Sequence, residues 1–192
     1  TTGQIYTSNG AGARPTFQVT TAATSTVPVS SVQRGQVAIG SGATSTTITL
    51  DTPIPSDKSF PIITIKTNET FWGNAAVAAE LAALNGDNDK YTELRLERVG
   101  TTGTVTVYWQ VVSNPNFTVQ TGATTLAAAG ATSTTAAITS VATTTAFILT
   151  SATTTEVTDG GSRILPVGIK FQNATTLALA RGSNAGDATA RW

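Results

Sequence analysis

One set of motifs occurs twice in the 192 residues, at a spacing far longer than any short solenoid repeat. Val32-Gln33-Arg34-Gly35, then Gly42-Ala43-Thr44-Ser45-Thr46-Thr47, recurs 87 to 88 residues later as Val119-Gln120-Thr121-Gly122, then Gly130-Ala131-Thr132-Ser133-Thr134-Thr135. Downstream, Leu96-Glu97-Arg98, Gly103 and Val107-Tyr108-Trp109 reappear 83 residues on as Leu179-Ala180-Arg181, Gly186 and Ala190-Arg191-Trp192. A domain-sized period means two copies of a unit that buries its own core. The chain therefore divides into an arm and linker over 1–31, a first module over 32–113 and a second over 114–192, with Asn114-Pro115-Asn116 at the boundary.

The type of unit follows from the residues that fill it. The chain is rich in threonine, a β-branched residue suited to a pleated surface, and the 17 Gly and 7 Pro fall mostly between alternating apolar runs, where they supply turns. The expected fold is all-β: two tandem small β-sandwich modules with an extended N-terminal arm. Gln36-Val37-Ala38-Ile39 and Thr46-Thr47-Ile48-Thr49-Leu50 flank Gly40-Ser41-Gly42 as an expected hairpin. Pro53, Pro55 and Pro61 mark a turn before the strand Ile62–Thr67. Glu93–Val99 and Thr104–Val112 alternate polar and apolar residues and are expected to form a second hairpin. In the second module, strands are expected near 136–141, 146–150, 167–171, 176–180 and 188–192, with a loop over 153–161. One short inserted helix is expected at about 74–85, capped by Asn74, carried by Ala75 to Leu84 and stopped at Asn85-Gly86.

The arm reads as a hairpin or extended segment. Asn9-Gly10 tolerates the positive φ of a tight turn, and Pro15 blocks helix.

Absences in composition restrict the chemistry. The chain has no Cys and no His, so it lacks the thiolate and imidazole of most nucleophilic, proton-shuttling and transition-metal sites. No enzymatic activity, catalytic residue, metal site or cofactor is expected. Eleven basic residues balance eleven acidic ones without a long basic run, which argues against nucleic acid as a partner. No apolar run approaches the ~20 residues of a membrane span, and no secretion signal is evident, so a soluble chain without a membrane partner is expected.

Each group that invites a chemical reading has a structural one beside it. Asp87-Asn88-Asp89 offers calcium-type oxygen ligands but lacks the central glycine and distal glutamate of the 12-residue loop. Glu80, Glu97 and Asp159 occupy three separate contexts, so nothing pairs two carboxylates for glycoside hydrolysis. Glu93, Arg95 and Glu97 fall on the solvent face of one strand. Asn68, Asn116 and Asn173 begin sequons that a Thr-rich chain produces by composition alone. Paired threonines such as Thr47 and Thr49 lack the short strict repeat of an ice-binding ladder. Trp109 and Trp192, at equivalent strand ends, are read as packing residues, while Trp72, Tyr91 or Trp109 would form the platform if the chain bound carbohydrate.

Ser31-Val32-Gln33-Arg34-Gly35-Gln36-Val37-Ala38-Ile39 with Gly42-Ala43-Thr44-Ser45-Thr46-Thr47-Ile48-Thr49-Leu50, closed by Tyr108-Trp109-Gln110-Val111-Val112, resembles the small β-sandwich modules of tailed-bacteriophage virion structural proteins. Tyr6-Thr7-Ser8-Asn9-Gly10-Ala11-Gly12 with Pro15-Thr16-Phe17 is similar to a segment of phage fibre and decoration proteins. The second copy departs from the pattern at Thr121, where the first has Arg34, and ends without Gln-Val-Val. The resemblance implies a capsid decoration or cement protein on the virion surface. Its partners would be the major capsid protein or other virion proteins, with homo-oligomers on the particle. Ile5, Tyr6, Pro15 and Phe17 are the expected arm anchors. The alternatives are a tail or fibre component contacting a host receptor and, from another class, a carbohydrate-binding module with a host glycan as ligand.

Overall fold

A computed structural model describes residues 4–7, 16–19, 30–69, 71–83, 89–127, 132–155, 167–182 and 186–192. Strands β1 (Gln4–Thr7) and β2 (Thr16–Val19) pair antiparallel as a ribbon that forms its own two-stranded sheet. The first module follows with β3 (Ser31–Ile39), β4 (Ser45–Pro55), β5 (Ser59–Thr67), the one-turn helix α1 (Trp72–Ala75), β6 (Ala78–Ala82), β7 (Lys90–Glu97) and β8 (Val105–Ser113). The second comprises β9 (Ala123–Leu126), β10 (Ser133–Ala137), β11 (Ser151–Thr154), β12 (Gly168–Asn173), β13 (Thr176–Ala180) and β14 (Ala188–Arg191).

The chain is all-β, and its strand order is written twice. In the first module one sheet runs β3-β8-β5 and the other β4-β7-β6; in the second the matching sheets run β9-β14-β11 and β10-β13-β12. Each module is a sandwich of two three-stranded sheets. Val105, Val107 and Val111 of β8, with Ile39 of β3, face Leu94 and Leu96 of β7 and Leu50 of β4 across the first core. Leu126, Ala188 and Ala190 face Leu177 and Leu179 across the second. Period-2 alternation puts the side chains between these on the outer faces.

Two expected hairpins are absent. β3 pairs with β8 rather than β4, and β7 pairs with β4 and β6 rather than β8. The 40–44 and 98–104 connections instead arch from one sheet to the other, so Val37 and Ile39 approach Ile48 and Leu50 from opposite sides of one core.

The inserted helix is also displaced and shortened. Among the described residues of this segment only 72–75 is helical, Asn74 lies inside that turn rather than capping it, and Ala78–Ala82 forms β6; Leu84, Asn85 and Gly86 lie outside the described residues. Alanine favours helix by only tenths of a kcal/mol per residue, and tertiary context overrides so weak a prior. Here five residues pair in register with β7, and Leu81 and Ala79 enter the core. In the second module 146–150 is not strand, and β11 begins at Ser151, partly inside the expected loop. Pro61 lies within β5, whose position at the sheet edge tolerates a missing donor.

The modules meet through one outward face of the second. Ser151 and Arg191 are register partners on the outer side of the β9-β14-β11 sheet. Arg191 holds two carboxylates of the first module, Glu80 at 2.7 Å and Glu97 at 2.7 Å, and the Ala79 N–H donates to Ser151 Oγ at 3.0 Å. Ala78 faces outward from β6, yet is only 2% exposed, consistent with coverage by the second module. Beside this contact, Phe147 meets Phe60 edge-on at a centroid distance of 5.6 Å.

Candidate functional site

The residues that mark the duplication prove to be structural keystones. Arg98, 3% exposed, donates through Nε to Ala43 O (2.9 Å), through Nη1 to Thr102 O (3.2 Å) and through Nη2 to Gly40 O (2.7 Å) and Gly103 O (3.1 Å). One guanidinium thus ties together the two arches of the first sandwich. Burial lowers the Arg98 pKa from its ordinary value, and the Glu69 carboxylate opposes that shift. Arg181 repeats the arrangement, donating to Gly186 O and, at 2.6 Å, to Ala127 O.

Gln33 is a second keystone. Its amide donates to Thr52 O (2.8 Å) and accepts from the Thr52 N–H (3.2 Å), a side chain standing in for a strand; Gln120 does the same with Thr139. Gly35 is the third. A Cβ there would lie 2.8 Å from Cζ2 of Trp109, and one at Gly122 would lie 2.4 Å from Cζ2 of Trp192, so each tryptophan lies against a glycine across the strand. The repeated motif therefore encodes the same tie points of the fold twice.

The residues nominated as sites from the sequence are distributed as follows. Ile5 and Tyr6 lie on β1 and Phe17 on β2, with Tyr6 opposite Phe17 in register. Pro15 lies outside the described residues. Of the carbohydrate-platform residues, Tyr91 and Trp109 pack against the first core. Trp72 lies on α1. Asp87, Asn88 and Asp159 lie outside the described residues, and among those described no three acidic side chains form a group that would hold a metal ion. Glu80 and Glu97, read from the sequence as unrelated, converge on Arg191. An arginine between two half-exposed carboxylates forms an ion-paired bridge from the second module to the first.

Among the described residues, two outward sheet faces present exposed surface, the first except at Phe60, which Phe117 and Phe147 cover. On β3-β8-β5, Val32 (51% exposed), Ile62 (39%) and Tyr108 (43%) stand out, and a hollow of about 250 Å³ is lined by Arg34, Ile62, Thr64, Tyr108 and Gln110. On β10-β13-β12, a hollow of about 680 Å³ is lined by Ser133, Thr135, Gly168, Lys170, Ala178 and Ala180. Tyr108 was not singled out in the sequence, although the signal was there: Val105, Val107, Trp109 and Val111 alternate inward, so the residue between them points out. Comparison with protein-family models, with curated proteins and with solved structures finds no match to this chain.

Proposed function

We propose that the chain is a bacteriophage virion structural protein, a decoration or cement protein that attaches to the outer surface of the capsid and stabilises the particle. The observation that carries this reading is the β1–β2 ribbon, a two-stranded sheet separate from both sandwiches. A lone two-stranded ribbon is marginal in water. It gains stability by laying an edge or face against a neighbour, where main-chain pairing gives affinity without a deep pocket. Ile5, Tyr6, Pro15 and Phe17 anchor that contact in this reading. Many such contacts on one particle combine by multivalency into firm attachment.

The test removes residues 1–19 and follows cosedimentation with heads of the encoding phage that lack the protein. The truncated chain keeps the thermal melt of the two sandwiches, binding falls to background, and heads decorated with the intact chain gain heat resistance. Unchanged occupancy by the truncated chain refutes the role of the ribbon. Binding of the isolated protein to a glycan array, with none to heads, moves it to the fibre or carbohydrate-binding class.

A further inference from the structure

The joint between the two modules is half of a pattern that the duplication leaves open at both ends. Within the chain, an outer face of module two docks on the β6–β7 side of module one. Module one has the counterpart of that docking face, exposed at Ile62, Thr64 and Tyr108 although Phe60 at its end is covered by Phe117 and Phe147, and module two has the counterpart of that receiving side, exposed at Gly168, Lys170 and Ala180. We infer that a second copy of this chain fills them, so that copies associate head to tail. The face of β8 and β5 of one copy takes, on module two of another, the place that β14 and β11 take on module one within the chain.

The residues at the equivalent positions bear on this one by one. Ser151, which accepts the β6 edge N–H of Ala79, corresponds to Thr64, another hydroxyl, and the receiving N–H corresponds to that of Ile169 on β12. Phe147, seated on Phe60, corresponds to Phe60 itself. Phe60 is already packed against Phe117 and Phe147 of its own chain, so this aromatic contact is the one feature of the joint that is not repeated between copies. Arg191 corresponds to Tyr108, and the acids it holds, Glu97 and Glu80, correspond to Ala180 and Lys170.

The last substitution is a matched pair. Where the receiving side has two carboxylates, the docking residue is arginine. Where the receiving side has replaced them with a small residue and a lysine, an arginine would meet like charge, and the docking residue is instead an exposed tyrosine. The receiving hollow on β10-β13-β12 is lined by the small Ser133, Thr135, Ala178 and Ala180 together with the longer Gln172 and Lys170, and has room for a phenol, with Lys170 placed to donate a hydrogen bond or lie over the ring. A buried aromatic anchor in such a pocket is the usual centre of a protein interface. Because docking and receiving surfaces differ, the contact is heterologous and builds rings or filaments rather than closed dimers. This inference does not depend on the virion role proposed above.

The experiment uses the full chain with two variants, Tyr108→Arg and Ala180→Glu. Both positions are exposed, so each variant keeps the wild-type circular dichroism and melt. Sedimentation velocity across a concentration series shows mass-action assembly for the wild type. Either variant alone associates at least about tenfold more weakly, the loss of one anchor at an interface centre. An equimolar mixture of the two recovers assembly, because it contains both the native tyrosine–alanine contact and an arginine–glutamate contact copied from the joint within the chain. A monomeric wild type at all concentrations overturns the inference. So does assembly untouched by Tyr108→Arg, or a mixture that fails to recover.

Discussion

Replacing Arg98 by methionine tests the claim that one buried guanidinium ties the two arches of the first sandwich. The variant keeps the length of the side chain and removes all five donors. Of the four carbonyls that lose a donor, those of Gly40 and Thr102 belong to exposed residues, where water takes over, whereas Ala43 and Gly103 are half-buried. A hydrogen bond to a charged group contributes about 1.5–3 kcal/mol net, so two unreplaced bonds come to roughly 3–6 kcal/mol. Methionine also avoids the cost of burying a charge, so the expected loss lies at the lower end of that range, about 3 kcal/mol. With a urea slope of about 1.5 kcal/mol/M, the unfolding midpoint of the first module falls by roughly 2 M. Tryptophan fluorescence reads this directly, because Trp109 packs against that core. Arg95→Met is the control: Arg95 is 48% exposed and bonds only Glu93 among the contacts described, so its midpoint moves by less than about 0.5 M. A shift as small as the control's for Arg98→Met would refute the argument, since the arches would then hold without the guanidinium.

Two further outcomes follow from the keystones and the joint. Gly35→Ala and Gly122→Ala each force a Cβ into a tryptophan ring, so each destabilises its module by about 1–3 kcal/mol and changes tryptophan emission; an unmoved melt in both would show that the rings slide away freely. Arg191→Met cuts both ion pairs to the first module, so the urea transitions of the two modules move apart and the salt dependence of the joint disappears; an unfolding profile unchanged in shape would mean that the remaining contacts, Ala79 to Ser151 and Phe60 to Phe147 among them, hold the modules without the ion pairs.

The sequence by itself determined the fold class, the duplication and the buried face of each strongly alternating strand. Val105 to Val111 and Leu94 to Leu96 repeat every second residue, and that period survives any tertiary arrangement. The counterparts Arg98 and Arg181, Gly35 and Gly122, and Trp109 and Trp192 were visible as repeats, but their partners were not. Only the tertiary structure decided that β3 lies beside β8, because alternation says which side of a strand is buried and nothing about which sheet its neighbour joins. Only pairing with β7 turned the alanines of 78–82 from helix to strand, since their local preference is weaker than five register contacts and two core side chains. The convergence of Glu80 and Glu97 on Arg191, across 94 residues for the second pair, is likewise invisible to any local pattern. Which surfaces remain open follows from how the two modules pack, because a face is free only when nothing distant in the chain has covered it.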